Sequence, residues 1–463
     1  MGKFKKTIKK MNKKITLLVL FISIQINAQC WQSIAAGWRH TMSVKSDGTL
    51  WACGLNNNGQ LGDGTNTDRA VRVQIGTDNN WLSVANSEFQ SAAIKTDGTL
   101  WACGLNSYGQ LGNGTTVDKN VMTQIGTSTD WQMVSVGYSQ MAAIKTNGTL
   151  WAWGNNFGAG LGYSTSIDST VPNQVGTQTN WKTVEVGTFH TMGLKTDNTL
   201  WGFGFNNYGE IGNGNNSNVL NPIQIGTETW KTISVSNNRY TVGIKQNGTL
   251  WAWGFNGYGQ LGDGSTTNRN YPAQVGTATN WEKLSTEGNH VLAIKSTGQL
   301  WGWGLNNFGQ LGDGTTVNKS LPFQIGTDTD WFLSIAGSNN SFVLKNNNVL
   351  SAWGENSYGQ LLDGTSIVKY FPTPISCTSL GLTETNFSNK FQIYPNPTTE
   401  ILNIQNKLNL TIEKIIVSDI TGKFILEQTD NNETINIKNF KTGIYIIKII
   451  VDKTFYCLKF IKQ

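Results

Sequence analysis

From Trp31 onward, apolar positions come in short alternating runs, cut at regular intervals by Gly, Asn and Asp. In the first such stretch, a run opening at Trp31 breaks at Gly37. Thr41–Lys45 then alternates apolar with polar and stops at Asp47-Gly48, a pair that favours a two-residue hairpin turn. The pattern resumes over Thr49–Cys53, and after a long Gly/Asn-rich loop it returns over Val71–Ile75. Period-two alternation bounded by turn residues predicts β-strands. Four antiparallel strands are therefore expected in this stretch.

The stretch repeats. Trp31, Trp81, Trp131, Trp181, Trp230, Trp281 and Trp331 open seven copies of about fifty residues, filling 31–380. The fifth copy loses one residue before its Trp and regains one after it. Four-stranded units repeated seven times predict an all-β fold, a seven-bladed β-propeller. Closing such a ring also removes the exposed terminal edges of an open array. Seventeen of the 18 tryptophans fall at three repeat positions, where flat rings are expected to fill the wedges between blades. The exception is Trp38.

After Cys377 the repeat stops. Residues 379–390 read as a polar linker, leaving 29–378 to the propeller. From Phe391 to the end, Trp disappears and Ile and Lys rise. Alternating runs at Ile401–Ile404, Lys414–Asp419, Phe424–Glu427, Ile435–Ile437, Ile444–Ile450 and Phe455–Ile461 predict a small Ig-like β-sandwich over 391–463.

Two segments resemble known families. Asp47-Gly48-Thr49-Leu50-Trp51 and Asn56–Gly64, with their copies, resemble the regulator-of-chromosome-condensation repeat. That resemblance implies a seven-bladed propeller acting through protein–protein contact. The third copy departs from it at Gly158-Ala159-Gly160-Leu161-Gly162. Tyr394-Pro395-Asn396-Pro397, Asp419–Lys423 and Gly443-Ile444-Tyr445 resemble the type A sorting domain of the type IX secretion system. This resemblance implies that 391–463 engages the type IX machinery, as in Bacteroidetes-type bacteria.

Charge sharpens the picture. The net charge is +6, yet residues 1–30 carry seven lysines and no acid, while 31–382 carry 18 basic and 21 acidic side chains. A slightly acidic body lacks the clustered cations that hold phosphate backbones, so nucleic acid is not an expected partner. The lysine-rich start, the ten-residue apolar run Ile15–Ile24 and the small residues before Gln29 read as a signal peptide over 1–28. The run is too short to span a bilayer, so the mature chain is expected to lack an integral membrane segment. Its expected location is extracellular or on the outer cell surface, reached through the periplasm.

Candidate chemistry is sparse. The three histidines, His40, His190 and His290, share one repeat position with Gln90, Gln140, Tyr240 and Asn340. That company favours a repeated structural hydrogen bond over a metal site. Seven lysines, from Lys45 to Lys345, recur at one strand end and read as local pairing groups. The Asp-Gly loops such as Asp63-Gly64 lack alternating carboxylates and read as turns, not calcium loops. Nucleophile-elbow, phosphate-loop and metalloprotease signatures are not found. No cofactor, metal or enzymatic activity is expected.

Function is expected where the repeats differ. The loops after each inner strand carry Trp38, Arg39, Glu88, Phe89, Tyr138, Phe189, Arg239 and Tyr240, side-chain types that dominate interface energetics. The expected partner is an extracellular protein or glycan. The alternative is an enzyme in the central mouth, which would need convergent carboxylates, with Glu88 and Glu287 as candidates. Cys377 and Cys30 fall at the first and last turn positions, respectively, where blade seven must meet blade one. A disulfide between them is expected to close the ring.

Overall fold

At Asp47-Gly48 the chain reverses with Gly48 at φ +77°, where an added Cβ would lie 2.0 Å from the Asn79 carbonyl oxygen. Only glycine fits a left-handed turn pressed this closely against its neighbour. Asp47 accepts bonds from the Thr49 amide and hydroxyl. This hairpin joins the middle strands of blade one, which is built from Trp31–Ala36, His40–Lys45, Leu50–Gly54 and Arg69–Gln74. All neighbouring strands are antiparallel.

The computed structural model describes residues 30–376, 391–419, 424–429, 433–451 and 454–463. The expected signal peptide, the linker and Cys377 lie outside them. Within the described residues the chain forms two compact units, divided at Ile375. In the first, the strand quartet of blade one recurs in every repeat, giving the seven-bladed propeller. Its blades four and five are fused into one seven-stranded sheet, because Val219–Val235 runs unbroken as the outer strand of one and the inner strand of the next. This is the junction where the fifth copy lacks a residue. The shortened turn cannot loop out, so the backbone stays extended through it.

The wedges between blades are filled as the tryptophan spacing predicts. Trp153, Trp253, Trp303 and Trp353 are fully buried, and Trp253 and Trp303 donate their indole N–H to the Glu210 and Gln260 carbonyls of the preceding blade. Cys53 and Cys103 take that place in blades one and two, buried and unpaired, each thiol directed at a carbonyl one blade back. The histidines bridge blades too. His40 and His290 sit 2.9 Å from the Ser91 and Ser341 hydroxyls of the following blade. Burial lowers all three imidazoles to about 3 and keeps them neutral.

Five of the seven repeated lysines, Lys95, Lys145, Lys195, Lys245 and Lys295, are clamps between two indoles. Lys295 lies 4.8 Å from the Trp281 ring and 4.0 Å from the Trp301 ring, and Lys95 also pairs with Asp78 at 2.7 Å. A cation between two indole faces ties the strand end to the blade opening. The Gln-Leu-Gly-Asp-Gly loops are likewise self-contained: buried Asn56 donates to Asp63, Thr65 and Thr67 while its oxygen accepts the Leu61 amide.

The ring closes between blades seven and one. Thr41 donates to the Gln360 carbonyl at 2.7 Å, Ser338 to the Gly37 carbonyl at 3.3 Å, and Arg39 pairs with Glu355 at 3.2 Å. Cys30 is disulfide-bonded, and its carbonyl accepts the Ser46 amide as Asn80 accepts Thr96.

The second unit packs a three-stranded sheet (Phe391–Tyr394, Ile401–Asn406, Thr434–Asn436) with a four-stranded one (Phe424–Gln428, Lys414–Asp419, Gly443–Val451, Thr454–Lys462). Phe391, Leu402, Ile404, Ile415, Val417, Ile447, Ile449 and Phe460 form its core, giving the expected sandwich.

Candidate functional site

The loops that follow the inner strands bring four aromatic rings, one per blade, into a continuous arc. Trp38 meets Phe89 at 5.4 Å between centroids, Phe89 meets Tyr138 at 6.3 Å, and Tyr138 meets Phe189 at 6.3 Å, each edge to face. The arc continues through Phe157 and Phe205, 5.0 and 6.3 Å from Phe189. The first four rings are half-buried and Phe157 is exposed, so the arc presents ring edges and faces to solvent.

Arginines hold both ends. Arg39 lies 4.1 Å from the Trp38 ring and 5.1 Å from the Tyr358 ring while paired with Glu355. Arg239 stands 5.2 and 5.4 Å from the Phe205 and Tyr208 rings. Its φ is +68°, a left-handed conformation that a bulky residue adopts at a cost and that aims the side chain across the face.

A cavity of about 470 Å³ opens at the inner edge of the arc, lined by Glu88, Tyr138, Thr188, Phe189, Tyr208, Asn237, Asn238, Arg239 and Phe255. Behind it the inner strands enclose a central channel of about 330 Å³ into which Glu185 and Glu287 face. Burial raises Glu88 and Glu185 to about 7. Glu287 is driven well above the ordinary carboxylate value by burial first and then by Glu88 and Glu185. Between cavity and channel, Asn237 of blade five donates to the Ser87 hydroxyl of blade two and to the Glu287 carboxylate of blade six.

Seven of the eight residues expected at the loop face are placed there; Tyr240 is not. Tyr240 is fully buried, with its hydroxyl bonded to Thr286 and, at 3.0 Å, to the His290 carbonyl. The residue regained by the fifth copy puts Tyr240 in the histidine register, where side chains bridge blades. The reading from sequence missed Phe157, Phe205, Tyr208, Phe255 and Asn237 on the loops, and Glu185 on the inner strand. The aromatics carried a signal, since Phe205 and Phe255 occupy the position after each Trp/Phe-Gly pair. Glu185 had one too, as an acid where blades one and two place Ala35 and Ala85. Among the described residues, no cluster of three or more His, Cys, Asp or Glu has the arrangement of a metal site.

Comparison with known proteins follows these units. The family described as RCC1-like domain matches residues 88–388, and the RCC1 repeat matches 31–60 and 47–94. The secretion system C-terminal sorting domain matches 392–463. The ultraviolet-B receptor UVR8 of Arabidopsis thaliana is 50% identical over 42 residues, which span 9% of this chain and 10% of that one. Human WBSCR16 superposes with a TM-score of 0.63 at 18% identity, over 71% of this chain and 94% of that one. Prp20p of Saccharomyces cerevisiae gives 0.64 at 18% identity, over 76% and 90%. At these identities the solved structures speak for the fold alone. The match across most of the propeller shows that the chain belongs to the RCC1-like domain family, exported to the cell surface or extracellular space by its type IX sorting domain.

Proposed function

We propose that this protein is an exported binding propeller that engages an extracellular protein or glycan through the aromatic arc and its adjoining cavity, and that it is not an enzyme. The observation that carries this reading is the unbroken series Trp38–Phe89–Tyr138–Phe189, drawn from four successive blades at two adjacent loop positions where the repeats diverge. Rigid aromatic side chains offer large contact area at small entropic cost, and the flanking arginines add planar donors. Screening the mature full-length protein on protein and glycan arrays identifies the ligand class. The Phe89→Ala, Tyr138→Ala, Phe189→Ala triple variant is expected to lose at least about 2 kcal/mol of binding energy. Tyr240→Phe, buried away from the face, leaves binding unchanged. Equal affinity of the triple variant and wild type would sink the proposal.

A second reading draws on the carboxylates. Glu88, Glu185 and Glu287 converge where the channel meets the cavity, and groups of raised pKa in a concave site are a feature of acid–base catalysis. Turnover of a panel of glycoside and ester substrates, abolished in Glu287→Gln, would favour this reading.

A further inference from the structure

In six blades the strand after the Asp-Gly hairpin starts Leu-Trp; in blade seven it starts Leu350-Ser351. The consequence can be measured inside the molecule, because the groove between blades one and two shares six of its lining positions with the wider groove between blades six and seven. The first is lined by Asp63, Gln74, Ile75, Asp78, Trp81 and Trp101 and holds about 310 Å³. The second is lined by Asp313, Gln324, Ile325, Asp328, Trp331 and Ser351, position for position, and holds about 660 Å³. The groove doubles where the indole is missing.

Three further differences accompany the missing ring. Where Lys95 lies 4.1 Å from Trp101 and pairs with Asp78, Lys345 lies 4.7 Å from Trp331, keeps the equivalent Asp328 at 2.6 Å and adds Asp330 at 3.0 Å. Where Thr99 accepts the Trp101 indole N–H at 2.9 Å, blade seven has Val349. Where Val121 borders the first groove, the exposed Phe371 borders the second.

We infer that this groove is a second binding site, which takes a phenylalanine side chain from a protein partner into the place that Trp101 fills in blade two. The occupant is aromatic because Trp331 offers the same ring and Lys345 the same cation that receive an aromatic ring elsewhere. It is phenyl rather than indole because Val349 has removed the acceptor for a ring N–H, and a buried donor without a partner is costly. The groove lies at the hairpin ends of the strands, opposite the aromatic arc, so the site is independent of the function proposed above.

The test is titration of the mature full-length protein with N-acetylphenylalanine amide, and with methyl glucoside in parallel, followed by saturation-transfer NMR. Saturable binding of the phenyl probe is expected, at least about tenfold weaker in Ser351→Trp, where the new indole occupies the groove. Phe371→Ala, which alters only an exposed wall, should weaken the probe without shifting the melting temperature. Absence of saturable phenyl binding, preference for the glucoside, or equal affinity in wild type and both variants would overturn the inference.

Discussion

The side-chain amide of Asn237 in blade five donates to the hydroxyl of Ser87 in blade two at 2.6 Å, although the two residues are 150 positions apart. Blades two and five are not neighbours in a ring of seven, so the bond spans the central opening. The same amide donates to the Glu287 carboxylate. Asn237 thereby separates the aromatic cavity from the channel and holds an acid that burial and two other carboxylates already disfavour as an anion.

Removing that donor is expected to destabilise the propeller. Asn237→Ala leaves the Ser87 and Glu287 groups buried without it, a loss of about 1–3 kcal/mol for buried polar groups left without their partner. Urea unfolding followed by tryptophan fluorescence measures the change.

Stability is expected to fall as pH rises through the mildly acidic range. Burial raises the folded-state value of Glu210 to about 7 from an ordinary 4.5. A carboxyl with a raised folded value binds its proton more tightly when folded. Its stabilising effect is complete below about 4.5 and is lost as pH climbs to about 7. Glu210 is fully buried and stands where other blades place Gln60, Gln110, Gln260, Gln310 and Gln360. Glu210→Gln should therefore raise the melting temperature at pH 8 and leave it unchanged at pH 4. A thermal melt at each pH decides this.

The lysine clamps should be worth a measurable amount each. Lys295→Met keeps the aliphatic stem but removes the cation between Trp281 and Trp301. The expected cost is about 0.5–1 kcal/mol, read as a lower urea midpoint with an unchanged slope.

Cys30 is disulfide-bonded while Cys53 and Cys103 are free. Peptide mapping of the unreduced mature protein is expected to join Cys30 to Cys377, closing the ring across the seam. Cys30→Ser should then lower stability by about 2–5 kcal/mol, the usual range for a native bridge. Recovery of a Cys30–Cys457 peptide instead would reject this pairing.

The sorting domain matches residues 392–463 and shares none of the repeats. Deleting 391–463 is expected to leave the propeller in the periplasm, and fractionation with immunoblotting reads this directly. Release of the truncated protein into the medium at the normal level would contradict it.

The sequence alone determined what depends on local pattern. Alternation and the Asp47-Gly48 type of hairpin set the strands, and Trp recurrence every fifty residues set the blade count. The shared register of Trp153, Trp253, Trp303 and Trp353 marked the wedges between blades. The loop positions of Trp38, Phe89, Tyr138 and Phe189 were legible because those loops diverge between blades while the turns of the opposite face are nearly constant. Tertiary structure decided what depends on the curvature of the closed ring. Tyr240 is adjacent in sequence to Arg239 yet points into the blade interface, as His40 does beside Arg39, because it opens the strand Tyr240–Lys245 while Arg239 belongs to the loop. Glu185 is an unremarkable strand residue until seven inner strands enclose a channel and place it near Glu287. The missing tryptophan at Ser351 was visible in the sequence, but the width of the groove beside it depends on how Trp331, Lys345 and Phe371 line it. Contacts between residues 150 apart, such as Asn237 with Ser87, follow from the diameter of the ring, which no single repeat encodes.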